Sequence, residues 1–334
     1  MKRVALVAVL ALGCGAFLGP DGNADRAAIF ERVWYEFDRH YSFFEFKGID
    51  WDSLHDVYAG QAAQAASDQA LAAVIDAMLD ELRDIHVNLF TPFAQYRYTG
   101  YDSRPVYFDQ SVVRTNYVSD RRVAPRQRLF YGHLASDVGY VWIPAFGSLG
   151  GYGEDIDSAL AALSGVTALV IDVRSNSGGN STNGQEIVSR FVSVPELVYG
   201  FVRYRSGPRH DDFTPRVPLA VRPRGTPFPG RVVVLANRAS YSATEDFVLA
   251  MSELAAVRVV GDSTGGGSGN PIVRELPNGW TFRLPQWVMF TNADQMFEER
   301  GLPPDLFVRG SQSELQAGRD AILDSALAVA RRAQ

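Results

Sequence analysis

Apolar positions recur at helical spacing early in the chain and give way to short apolar runs later. Phe30, Val33, Trp34, Phe37 and Tyr41 share one helical face, as do Leu71, Val74, Ile75, Met78, Leu79 and Leu82. Ser67-Asp68 reads as a helix cap. Gly48-Ile49-Asp50-Trp51 reads as a turn into another helix. Residues from about Asp25 to Asp84 are therefore expected to be helical. From Val87 to about Leu134 the pattern becomes short β-like runs, including Val106-Tyr107-Phe108 and Val112-Val113.

Beyond Gly139 strands and helices alternate. Gly139 to Ile143, Ala168 to Val173, Val232 to Leu235 and Val257 to Val260 read as strands. Ile156 to Leu163, Ser181 to Phe191 and Ala243 to Leu254 read as helices. This alternation predicts a mixed α/β fold with a mainly parallel sheet. Pro208 to Pro229, rich in proline and arginine, reads as a surface excursion. Glu314 to Arg332 reads as one amphipathic helix. The expected organisation is a leader over 1–22 and a helical subdomain over 23–90. A β-rich connecting segment follows over 91–138, then an α/β core over 139–310 and a C-terminal helix over 311–334. The connecting segment is too short for the PDZ module that its position would otherwise suggest.

Composition narrows the classes. The 334 residues are 46% hydrophobic and 21% charged, which suits a globular protein with a large core. A net charge of −6 argues against a nucleic-acid surface. Lys2 and Arg3 precede an apolar run, Val4 to Leu12, too short to span a bilayer, so the N-terminus reads as an export signal. Ala11-Leu12-Gly13-Cys14 resembles a bacterial lipoprotein processing site, with Cys14 as the lipidated residue. A plainly cleaved signal is the alternative. The expected location is outside the bacterial cytoplasm, in the periplasm, on the outer membrane or secreted. Cys14 is the only cysteine, so there is no disulfide framework.

The best candidate nucleophile is Ser242. The apolar run Val232 to Leu235 leads to it and Phe247 to Ala250 follows, giving the order strand, tight turn, serine, helix. The helix N-terminus offers unpaired amides and positive potential to a developing oxyanion. Serine needs a base to take its proton, and lysine or histidine could serve. Of 32 Lys and Arg residues only Lys2 and Lys47 are lysine, which favours histidine.

Three further segments carry candidate chemistry. In Asn176-Ser177-Gly178-Gly179, paired glycines let amides turn into a cleft. Asp172, just before, reads as an anchor for that loop. Leu82 to Leu89 contains His86, one of five histidines. Phe297 to Asp305 contains Glu298 and Glu299 before a glycine turn. No His/Cys/Asp cluster has metal-ligand spacing. Gly265 to Gly269 lacks the lysine of a phosphate loop, so no metal or nucleotide cofactor is expected.

In this order the segments resemble the serine peptidase family that contains the C-terminal-processing proteases and the tricorn core. Asn176-Ser177-Gly178-Gly179 is similar to its oxyanion loop. Ser240-Tyr241-Ser242-Ala243-Thr244-Glu245 is similar to its nucleophile segment. Val260 to Gly267 resembles its Val-Gly-Glu-x-Thr-x-Gly-Lys stretch, and Glu298 to Asp305 its closing motif. Gly267 stands where processing proteases carry the base lysine, so a Ser–Lys dyad at the usual spacing is ruled out. Gly48, Asp50, Trp51, Leu82 and His86 fit the tricorn-like branch, in which the histidine is catalytic.

The resemblance implies a ClpP/crotonase-like fold and acyl transfer at peptide bonds. Ser242 would be the nucleophile and His86 the base. Glu298, or failing it Glu299, would support the imidazole. The amides of Ala243 and of Gly178 or Gly179 would hold the oxyanion. Peptides or unfolded proteins are the implied substrates. The alternative is an inactive carrier of apolar ligands on the same scaffold.

Overall fold

Asp50 and Ser67 set the starts of two helices by accepting hydrogen bonds from the amides of Ser53 and Ala70, each three residues on. In the computed structural model, which describes residues 25–332, the chain forms two compact units. The first takes the residues up to Thr99 together with Gly207–Asp211 and Pro271–Pro285. Its main helices are α1 (Arg26–His40), α2 (Trp51–Ala63) and α3 (Asp68–Asp80). Gly48 ends a short helical turn with φ +63°, a conformation glycine adopts without strain. Phe37, Tyr41, Phe44, Trp51 and Phe282 form an aromatic core, with Phe37 and Phe282 stacked at 5.5 Å and Phe44 and Trp51 tilted at 5.1 Å. Phe282 comes from a four-stranded antiparallel sheet in the order Ile272–Glu275, Thr281–Leu284, Asn88–Phe90, Gln95–Arg97.

The second unit is built on a seven-stranded sheet. Its strands are β1 (Ser119–Val123), β2 (Phe130–Ala135), β3 (Val138–Trp142), β4 (Ala168–Asp172), β5 (Arg231–Ala236), β6 (Val257–Gly261) and β7 (Leu306–Phe307). The spatial order is β7-β6-β5-β4-β3-β2-β1. From β7 to β3 all neighbours are parallel, and β2 and β1 add an antiparallel edge. The mixed α/β fold, its mainly parallel sheet and its helical N-terminal region are thus as expected. Helices α4 (Tyr152–Ala162), α5 (Ser181–Val188), α6 (Ala243–Ser252) and α7 (Ala321–Arg331) belong to this unit. Helix α6 is buried on all sides from Ala243 to Met251, with polar Thr244, Glu245 and Asp246 in its first turn and an apolar run from Phe247 to Met251.

Four local expectations are corrected. Val112 and Val113 are helical, because Asp109 accepts from the amides of Ser111 and Val112 and starts a turn that continues as a π-helix over Val113–Tyr117. Val106 to Phe108 forms no regular element. The excursion after Pro208 contains a strand, Val217–Val221, at the edge of a three-stranded antiparallel sheet with Leu197–Tyr204 and Trp287–Thr291. Pro218 is tolerated there because an edge strand leaves one row of amides unpaired. The C-terminal segment is two helices, Gln312–Gln316 and α7, broken at Gly318 with φ +80° and restarted by the Asp320 cap. The leader and Cys14 lie outside the described residues.

Candidate active site

Strand β5 ends at Ala236, and after six intervening residues α6 begins at Ala243. Ser242 lies at that junction with φ 58° and ψ −124°. This left-handed backbone is uncommon outside glycine and is the kind of strain found at sharp strand-to-helix nucleophile turns. It is held by a buried carboxylate. Glu245 Oε2 accepts from the Ser242 amide at 3.1 Å and from the Gly267 amide at 2.8 Å. Its Oε1 accepts from the Gly266 amide at 2.8 Å and from Thr264 Oγ1 at 2.6 Å. Burial raises the Glu245 pKa, and these donors pull against that shift. Glu245 was visible in the nucleophile segment, but its anchoring role was not.

The paired-glycine loop packs directly on this turn. A Cβ on Gly178 would stand 2.6 Å from the Tyr241 carbonyl oxygen, 2.8 Å from Ser242 Cβ and 2.9 Å from the Ala243 nitrogen. Only glycine at 178 permits that approach. Asn176 organises the contact. Its Oδ1 accepts from the Gly178 amide at 2.9 Å and from Thr244 Oγ1 at 2.7 Å, and its carbonyl accepts from the Tyr241 amide at 3.1 Å. The Gly178 N–H is therefore committed, whereas that of Gly179 has no acceptor among the described residues. Carbonyls of Tyr241 and Ser242 take up the amides of Thr244, Glu245 and Asp246, leaving that of Ala243 out of this set.

Asp172 does not anchor the glycine loop. It pairs with fully buried Arg174 at 2.7 Å and accepts from Tyr140 Oη at 2.9 Å, while Arg174 also reaches Asp320 at 2.9 Å. A guanidinium removed from water requires such partners, and both acids are consumed in supplying them.

Gly267 admits no larger residue. A Cβ there would fall 1.7 Å from Tyr241 Cε2, so the tyrosine ring occupies the space a lysine stem would need. The next residue carries the chain to Glu298. Ser268 donates from its amide at 2.7 Å and from its hydroxyl at 2.9 Å to Glu298 Oε2. Glu298 is 2% exposed, whereas Glu299 is half-buried. The segment Thr264 to Ser268 thus ties the nucleophile turn, through Glu245, to the closing motif, through Glu298. Ser268 was not singled out in the sequence.

His86 belongs to the first unit and sits in the turn between α3 and the strand Asn88–Phe90. It is 5% exposed, and its amide donates to Asp84 Oδ1 at 2.9 Å. Asp84 Oδ2 accepts from Tyr41 Oη at 2.8 Å and stands 3.7 Å from Lys47 Nζ. Lys47 also donates to the carbonyls of Leu82 and Arg83, at 3.0 and 3.2 Å. The lysine is employed in fixing this turn. The second unit brings Ser242, Ala243, Gly178 and Gly179 together and ties Glu298 to the same framework. Among the described residues no group of three His, Cys, Asp or Glu side chains could hold a metal ion, and no helix is long and apolar enough to cross a membrane.

A strained serine at the N-terminus of a buried helix is faced by a paired-glycine loop on a mainly parallel sheet, which makes this an α/β core with helix and loop amides gathered at one turn. Residues 137–308 match the model of Peptidase family S41, and residues 23–80 match that of the Tricorn protease C1 domain. A protein from Parabacteroides merdae, named as a candidate peptidase, is similar at 34% identity over 93% of this chain and 98% of its own, with a TM-score of 0.85. The tricorn protease shares the fold at 15% identity and a TM-score of 0.61, over 91% of this chain and 36% of its own. The photosystem II D1 C-terminal processing protease does so at 15% and 0.57, over 85% and 93%. The chain belongs to peptidase family S41. It is accordingly a peptidase, with peptides or proteins as substrates.

Proposed function

We propose that this peptidase is of the serine type, with Ser242 as nucleophile and His86 as general base. His86 takes the Ser242 proton as the hydroxyl oxygen attacks a peptide carbonyl. The resulting oxyanion is held by the amides of Ala243 and Gly179, because Gly178 donates to Asn176. One such donor contributes about 3 to 4 kcal/mol to the transition state. The imidazolium then protonates the leaving amine, and water hydrolyses the acyl-enzyme to return the serine. Glu298 orients or polarises the imidazole, and Ser268 fixes the carboxylate for that task.

The observation that carries this reading is the strained Ser242 backbone with Gly178 packed against its Cβ. Gly267 and the engagement of Lys47 argue for histidine over lysine as base. We further assign export to the leader, with Cys14 as the lipidated residue, and short or unfolded peptides as substrates. The inactive apolar-ligand carrier is not favoured, since the family match is to a peptidase.

A fluorophosphonate probe tests the mechanism. Wild-type protein should label stoichiometrically, and Ser242→Ala and His86→Ala should each abolish labelling while remaining folded. Labelling retained in either variant would overturn the assignment.

A further inference from the structure

A cavity of about 260 Å³ lies in the second unit, away from Ser242, between the π-helix and the antiparallel edge of the large sheet. Val118, Phe130, Tyr140 and Trp142 form its apolar walls. Arg114, Arg121 and Arg122 also line it, and no acidic residue does. Arg121 is braced by the Arg114 carbonyl. Arg122 has exposed Asp120 at 3.6 Å. A π-helix is a rare element that concentrates at functional sites, and this one contributes Val113 and Arg114 to the lining.

Two wall residues bond to the segment that precedes the glycine loop. Tyr140 Oη donates to Asp172 Oδ2 at 2.9 Å, and Trp142 Nε1 donates to Ser175 Oγ at 3.1 Å. Asp172 and Ser175 lie on the segment that continues into Asn176, which holds Gly178 and Thr244. An occupant touching Tyr140 and Trp142 therefore bears on both hydrogen bonds at once.

We propose that this cavity binds a small monocarboxylate carrying one apolar group, and that its occupancy adjusts the Asn176–Gly179 loop. The apolar walls take the hydrocarbon, and the arginine forks take the carboxylate in bidentate fashion. The volume is below the range of roughly 300–1,000 Å³ typical for drug-sized ligands, so the apolar group is small. The free C-terminal residue of a peptide product and a short fatty acid share this chemistry. The coupling rests on the role given above to the glycine loop, whereas binding does not.

The full-length chain is titrated by calorimetry with N-acetyl-L-phenylalanine, its primary amide and octanoate. At least one carboxylate should bind saturably, the amide should not, and the Arg114→Ala/Arg121→Ala double variant should bind about tenfold more weakly or less. The carboxylate that binds identifies the source, peptide or lipid. Binding by neither, equal binding of the amide, or an unchanged affinity in the double variant would overturn the site. Calorimetry reads the site even if Ser242 plays no part in turnover. Where peptide turnover is measurable, a saturating carboxylate should change its rate in wild-type protein. Trp142→Phe should retain binding and lose that response. An unchanged wild-type rate at saturation would overturn the coupling.

Discussion

The turns that carry Ser242 and His86 each hang from a buried carboxylate, but the two acids are balanced differently. Asp84 holds the His86 amide and is compensated by an ammonium, Lys47, with help from a tyrosine hydroxyl. Glu245 holds the Ser242 amide with neutral donors alone, three amides and one hydroxyl, and its pKa is raised by burial. The ion pair in the first unit spans distant segments, and its ammonium also donates to the carbonyls of Leu82 and Arg83 in the turn it fixes. Glu245 takes one donor from the nucleophile turn and three from the Thr264–Gly267 loop, so turn and loop depend on one side chain. A turn can thus be fixed by charge compensation, or by using an acid as the hub of loop amides.

The comparison breaks most visibly at Asp84. Asp84→Ala leaves a buried ammonium without its acid and should destabilise the protein by about 3–5 kcal/mol in denaturant unfolding. A joint Asp84→Leu/Lys47→Met replacement should recover most of that loss, since well-packed apolar substitutes for a buried pair are often neutral. A cost below about 1 kcal/mol for Asp84→Ala would show that the pair does not hold the turn.

Glu245→Gln tests the opposite arrangement. The amide keeps the shape but presents a donor to donors, so buried N–H groups lose their acceptor, at about 2–3 kcal/mol. Turnover should fall as well, because the strained Ser242 backbone and the Gly266-Gly267 segment are released together. Wild-type activity in a folded Glu245→Gln variant would refute the hub role.

Gly267→Ala probes the neighbouring contact. The added methyl meets the Tyr241 ring, an overpacking cost of about 1–3 kcal/mol. In a Tyr241→Ala background the same change should be nearly free, and a double-mutant cycle reads the difference as a coupling energy. Additive effects would mean that the ring is not what excludes a side chain at 267.

The legible parts were those encoded locally. The apolar run Val232 to Leu235, the turn at Ser242 and the apolar run Phe247 to Ala250 announce their geometry in order. Asp50 and Ser67 marked helix starts by type and spacing. Val112-Val113 misled because β-branching was outweighed by the Asp109 cap, and the tail helix because Gly318 lay inside an otherwise periodic stretch. Partner choice was not legible. Asp172 reads as an anchor for the nearest loop, yet Arg174 and Tyr140 claim it. Glu245 and Ser268 went without roles because their partners lie about 20 to 30 residues away, beyond what a periodic pattern reports. The commitment of the Gly178 amide to Asn176, with Gly179 left over, is likewise a matter of angle and distance.

The smallest expected effect is the most informative about the closing motif. Ser268→Ala removes one hydroxyl donor from Glu298 but keeps the backbone amide at 2.7 Å, so the carboxylate remains partly held. Stability should change by only about 1 kcal/mol. If Glu298 orients the imidazole through a fixed position, kcat should drop more than tenfold, roughly 1.4 kcal/mol of barrier, with KM little altered. Ser268→Thr, which restores the hydroxyl, should recover most of the rate. A loss confined to KM, or no rescue by threonine, would assign the serine a structural role and detach Glu298 from the chemistry.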